Sequence, residues 1–167
     1  MTLPDDGLVV VLKQDCPTCR LVAPVLDGLD ATVYSQDDPA FPPGIVVRDD
    51  TALDASVALG IDVVPTLLRR EGGRETARTE GWDRERWREL AGIADLGAEL
   101  PEWKPGCGSR THDPAVADEM LVRARGHELT ARRVELAGLE DEAEALYDRG
   151  WTDGLPVVAP TPPDRKS

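Results

Sequence analysis

Leu8-Val9-Val10-Val11-Leu12 is an unbroken apolar run, and it leads within four residues to Cys16-Pro17-Thr18-Cys19. A run without alternation predicts a strand covered on both faces, so this chain needs structure above and below a sheet. From Cys19 to Leu29 the apolar residues Leu21, Val22, Val25, Leu26 and Leu29 recur at steps of three and four, which predicts a helix. Cys16 then falls at a helix N-terminus, where free N–H groups and the macrodipole favour a thiolate. Cys19 follows one turn later, within reach of a mixed disulfide formed on Cys16. The pattern is that of a dithiol redox site on an α/β scaffold.

Residues 31–36 (Ala-Thr-Val-Tyr-Ser-Gln) predict a second strand, and Pro39, Pro42, Pro43 and Gly44 mark residues 37–44 as a loop. Ile45 to Val47 reads either as a third short strand or as an apolar anchor for that loop. Asp50 or Thr51 is positioned to cap a helix over about 52–59, ended by Gly60. Val63 to Arg69 and Glu75 to Thr79 predict strands joined through Gly72-Gly73. Asp83 caps a last helix on which Trp87, Leu90 and Ala91 share a face. The expected order is β-α-β-α-β-β-α.

Beyond residue 97 the pattern breaks up. Pro101, Pro105 and several glycines predict a linker over 98–113, with Cys107 in a glycine-rich loop. Asp113-Pro114 opens a helical or mixed extension over 114–150, and residues 151–167 predict an extended proline-rich tail. Residues 1–97 form the expected domain.

Over roughly residues 6–95 the chain resembles the thioredoxin family. Cys16-Pro-Thr-Cys-Arg-Leu-Val-Ala-Pro-Val-Leu-Asp27 looks like that family's active-site helix, including the helix-kinking Pro24. Gly60-Ile-Asp-Val-Val-Pro-Thr-Leu-Leu68 is similar to its cis-proline loop, and Gly72-Gly73 and Gly81 fall at its turn glycines. The resemblance implies a thioredoxin-like α/β fold, a central mixed sheet flanked by helices, here with a C-terminal extension of linker, short helices and tail. It implies Cys16 as attacking thiol, Cys19 as resolving thiol, Pro65 as the cis residue facing them, and a Val64 backbone that pairs with an extended client. Pro17 and Thr18 complete the supporting set. Two positions depart from the family. Asp15 precedes the first cysteine in place of an aromatic residue, and Val10 stands where the family keeps a buried acid. A weaker likeness, through Gly106-Cys-Gly-Ser-Arg110 and Gly150-Trp-Thr-Asp-Gly-Leu-Pro-Val-Val158, points to a bacterial family with a cysteine- or selenocysteine-Gly-Ser-Cys motif. Arg110 takes the place of that motif's last cysteine.

The net charge of −13 argues against nucleic acid and anionic lipid as partners. Without an apolar spanning segment or a signal-peptide pattern, the expected location is the cytoplasm, where a C-x-x-C in a three-cysteine chain reads as catalytic or metal-binding rather than as a structural disulfide. The sequence thus predicts a thiol–disulfide oxidoreductase, a disulfide reductase needing no cofactor or metal. It would use an external reductant and donate electrons to a client protein disulfide, with the C-terminal extension docking a partner enzyme. Two alternatives stand beside it. One is an adaptor that binds a partner through Trp103, Trp151 and the tail with slow redox turnover; the other is a soft-metal carrier using Cys16, Cys19 and Cys107. Cys107 itself reads either as an inert thiol or as an accessory one that exchanges with the Cys16–Cys19 pair. His112 and His127 read as solvated surface residues.

Overall fold

The computed structural model describes residues 3–114 and 116. The chain divides into two compact units, Met1–Ala117 and Asp118–Ser167, and the described residues belong to the first. The helices and tail expected beyond residue 116, with His127 and Trp151, lie outside the described residues.

The apolar run forms β1 (Gly7–Leu12), with Leu8 to Leu12 all buried. It lies at the centre of a five-stranded mixed sheet with β2 (Ala31–Ser35), β3 (Val47–Asp49), β5 (Thr66–Glu71) and β6 (Arg74–Glu80), in the order β3-β2-β1-β5-β6. β2 runs parallel to β1 and β3 parallel to β2; β5 runs antiparallel to β1 and to β6. Burial on both faces is what its composition requires, and it fixes β1 as the strand around which the domain is built. β3 begins two residues later than the sequence suggests: Val46 is exposed and Ile45 packs on the core.

The first helix is shorter than its periodicity predicts. α1 covers Pro17–Val22 and passes into a 3-10 turn over Ala23–Gly28, because Pro24 has no N–H to continue the α-ladder. α2 (Asp54–Ala58) also starts later than expected, after Leu53 with φ 62°. Asp50 still serves it from outside. Its carboxylate accepts hydrogen bonds from the N–H groups of Ala55 (2.8 Å) and Ser56 (3.1 Å) and from Ser56 Oγ (2.6 Å). α3 (Arg84–Ala91) has the expected cap, Asp83 accepting from Arg86 N. It packs on β5 and β6. Trp82 and Trp87 are fully buried beside it with ring centroids 5.1 Å apart, and their indole N–H groups donate to Pro101 O and Gly81 O.

The stretch predicted to be a linker is part of this architecture. Trp103–Lys104 (β8) pairs antiparallel with Trp82–Asp83 (β7), and Cys107–Gly108 (β9) pairs antiparallel with Val63–Val64 (β4). Prolines and glycines misled the reading because each strand is only two residues long. Glycine here serves close approach rather than freedom: a Cβ on Gly106 would strike Val63 Cγ1 and come within 2.8 Å of Val64 O.

Polar bonds hold the returning segment. Gln36, fully buried at the end of β2, donates through Nε2 to Ser56 Oγ (2.8 Å) and Ser109 Oγ (2.7 Å). Its Oε1 accepts from Arg110 N (3.1 Å), and its backbone oxygen accepts from the Arg110 guanidinium (2.6 Å). Arg110 thus anchors the segment at the position where a motif cysteine was absent. Truncating Gln36 removes three buried or half-buried hydrogen bonds and leaves the Arg110 N–H without its acceptor, so Gln36→Ala is expected to cost about 2–4 kcal/mol. Urea unfolding of the purified variant measures this; a loss under about 0.5 kcal/mol would count against the pin.

Candidate active site

All three cysteines of the chain meet at one place. Cys16 is the N-cap of α1, in extended conformation (φ −140°, ψ 118°), and Pro17 supplies the first helical position, where its missing N–H costs nothing. Cys16 Sγ accepts from Cys19 N at 3.4 Å and lies 3.5 Å from Val64 O. The Val64–Pro65 peptide bond is cis, and Val64 is the last residue of β4. Thr18 is buried, and its hydroxyl donates to Pro105 O at 2.6 Å, tying the active-site helix to the segment that carries Cys107.

The antiparallel register sets Val64 opposite Cys107. The resemblance assigns that edge of Val64 to an incoming client; in this structure the chain's own β9 occupies it. Cys107 is thereby brought beside Cys16, close enough for the ionisation of each to affect the other. Cys16 is wholly buried, as is Cys19, whereas Cys107 is half-buried.

This arrangement separates the three thiols electrostatically. The Cys16 thiol falls from 9.0 to about 5, chiefly because the Cys19 thiol donates to its sulfur; burial opposes this, and the Cys107 thiol and the N–H groups of Cys19 and Thr18 add to it. The thiol form instead has Val64 O as acceptor. Cys19 is pushed far up, by burial first and then by its bond to Cys16, with the Lys13 N–H (3.5 Å) working the other way. Cys107 is pushed up by burial, by its bond to Cys16 and by that thiolate's charge, while the Thr18 N–H and the Lys13 charge pull it down. At neutral pH the site is one thiolate held between two thiols. Asp15, whose charge opposes a neighbouring thiolate, is exposed, where water screens it. Val10 fills the position of the absent acid as a buried core residue.

Other expected residues lie elsewhere. Trp103 is 63% exposed on β8. His112 is exposed, with Nε2 2.8 Å from Asp62 Oδ1. Among the described residues no group of three or more His, Cys, Asp or Glu is placed to hold a metal ion, so the metal-carrier alternative has no ligand set there. No helix of these residues is long and apolar enough to cross a membrane. The pairing of β9 with β4 and the Gln36 anchor were missed from sequence. Their signal was the pair of glycines around Cys107, which marks close backbone approach as readily as a flexible loop.

No protein-family model matches the sequence, nor does any curated protein. Solved structures similar to the chain include thioredoxin O2 from Arabidopsis thaliana in the oxidized state, with 25% identity over 52% of this chain and 72% of that one, TM-score 0.36. Thioredoxin O1 from the same plant gives 22% identity over 52% and 75%, TM-score 0.36. Reduced thioredoxin pre-protein from Schistosoma mansoni gives 17% over 55% and 81%, TM-score 0.36.

The lowered Cys16 value has a consequence for stability. A thiol near 9 when unfolded and near 5 when folded adds stability that is complete above pH 9 and lost as pH falls toward 5. Cys19 and Cys107 move upward, so their effect lies above pH 9. Reduced protein should therefore gain stability over Cys16→Ser between pH 5 and 9. Denaturant unfolding of both proteins at several pH values checks this, and parallel pH profiles would contradict it.

Proposed function

We propose that this protein is a thiol–disulfide oxidoreductase that reduces a client protein disulfide with electrons from the Cys16–Cys19 pair. The observation that carries the reading is Cys16 Sγ accepting the Cys19 N–H across one helical turn, 3.5 Å from the carbonyl oxygen of Val64; the lowered Cys16 thiol agrees with it. Cys16, as thiolate, attacks the disulfide sulfur presented to it; the leaving sulfur departs as thiolate and takes a proton. Cys19 gives up its proton and attacks Cys16 Sγ. The sulfur held on Cys16 is released, and Cys16–Cys19 remains as the disulfide. An external dithiol or reductase restores it.

Cys19 starts from a strongly raised value without a buried acid beside β1, so resolution is the slower half of this cycle. Slow resolution suits a dedicated donor to one client better than a general reductant. In this reading the setting is the reducing cytoplasm, and residues C-terminal to the domain dock the client enzyme. The adaptor alternative has one observation in its favour, the exposed Trp103, whose ring offers a partner an apolar contact.

The test is reduction of insulin disulfides with dithiothreitol as the recycling dithiol. Wild-type protein should accelerate the reaction, and Cys16→Ser should lose the acceleration by more than about tenfold. Equal rates with and without wild-type protein would leave the adaptor as the better reading.

A further inference from the structure

Cys16 is fully buried, so a client disulfide does not reach it while β9 is in place. The residue paired with Val64 is itself a cysteine. It is half-buried, and the carbonyl oxygen of Val64, its partner in the register, lies 3.5 Å from Cys16 Sγ. Gly106 is packed too tightly against Val63 and Val64 for any larger residue, and Gln36 fixes Ser109 and Arg110 on the other side. Cys107 is thereby held from both flanks in the place where a client strand would lie.

We propose that Cys107 is the client-facing thiol of a three-cysteine relay, and that it forms a disulfide with Cys16 in every turnover. The proposal rests on the reading of Cys16 as the exchanging thiol and names the sulfur on which it acts. Cys107, which partial exposure puts within a client's reach where the other two sulfurs are buried, loses its proton to water and attacks the client disulfide. One client sulfur leaves as thiolate and is protonated. The Cys16 thiolate then attacks Cys107 Sγ, forming Cys16–Cys107 and releasing the second client sulfur, which also takes a proton. Cys19 in turn loses its proton to water and attacks Cys16 Sγ; Cys16–Cys19 forms, and Cys107 leaves as thiolate and is reprotonated. Two electrons pass from the Cys16–Cys19 pair to the client, and Cys107 ends as it began.

Oxidised glutathione, added to the full-length reduced protein, tests this by peptide mapping of alkylated, unreduced samples. Cys19→Ser should accumulate Cys16–Cys107, lighter by two hydrogens and free of glutathione. Cys16→Ser should keep a glutathione adduct on Cys107. In wild type a folding defect cannot interfere, and Cys16–Cys107 should appear before Cys16–Cys19; Cys107→Ser should slow formation of the latter by about tenfold or more. A glutathione adduct stable on Cys16 with Cys107 free in Cys19→Ser would overturn the relay. So would an unchanged oxidation rate in Cys107→Ser. Relay products in a protein that does not accelerate insulin reduction would support the relay and sink only the reductase reading. Acceleration without Cys16–Cys107 would do the reverse.

Discussion

Val64 makes two contacts at once: its strand edge pairs with Cys107, and its carbonyl oxygen meets Cys16 Sγ at 3.5 Å. Two residues of pairing contribute little stability by themselves, since isolated two-stranded ladders are marginal. The surrounding structure supplies what the pairing lacks. Thr18 reaches over to Pro105, Ser109 N donates to Asp62 O at 2.9 Å, and Thr111 Oγ1 donates to Ile61 O at 2.8 Å. Gln36 joins the same segment to α2 through Ser56 and Asp50. The third sulfur is thus placed by a hydrogen-bonded network of several elements, and the burial of Cys16 goes with it.

The electrostatics follow from that placement. A buried thiolate is costly unless donors surround it. Here the donors are two thiols and two backbone N–H groups. Each thiol that donates to Cys16 is correspondingly reluctant to ionise, so charge on one sulfur enforces neutrality on the other two. A disulfide that includes Cys16 removes the thiolate and releases the third sulfur from that constraint.

Much of this was legible in the sequence where a pattern is long or chemically specific. The apolar run gave β1, the glycine pair gave the β5–β6 turn, and Asp83 gave the cap of α3. The C-x-x-C spacing placed Cys16 and Cys19 correctly on α1. Illegible were contacts made by short or polar pieces. Periodicity has nothing to act on in a two-residue strand, so Cys107–Gly108 and Trp103–Lys104 read as linker. Gln36 looked like the last polar residue of a strand, although it is wholly buried and bonded to residues more than seventy positions away. Local pattern puts the cap at Asp50 or Thr51, but Leu53 at φ 62° moves the helix start beyond both, and Asp50 reaches it by its side chain. For the short strands and for Gln36 the deciding interaction was long-range in sequence, which local propensity does not see.

Amide hydrogen exchange over residues 105–110 of the reduced full-length protein tests the central claim most directly, because a closed β9 and a free loop differ there by orders of magnitude. The account predicts that the Ser109 and Arg110 amides, bonded to Asp62 O and Gln36 Oε1, exchange on the slow scale of the β5 amides. Exchange of those two amides at the rate of an unstructured peptide would contradict it: Cys16 would then lie open to solvent, and Cys107 would be a bystander.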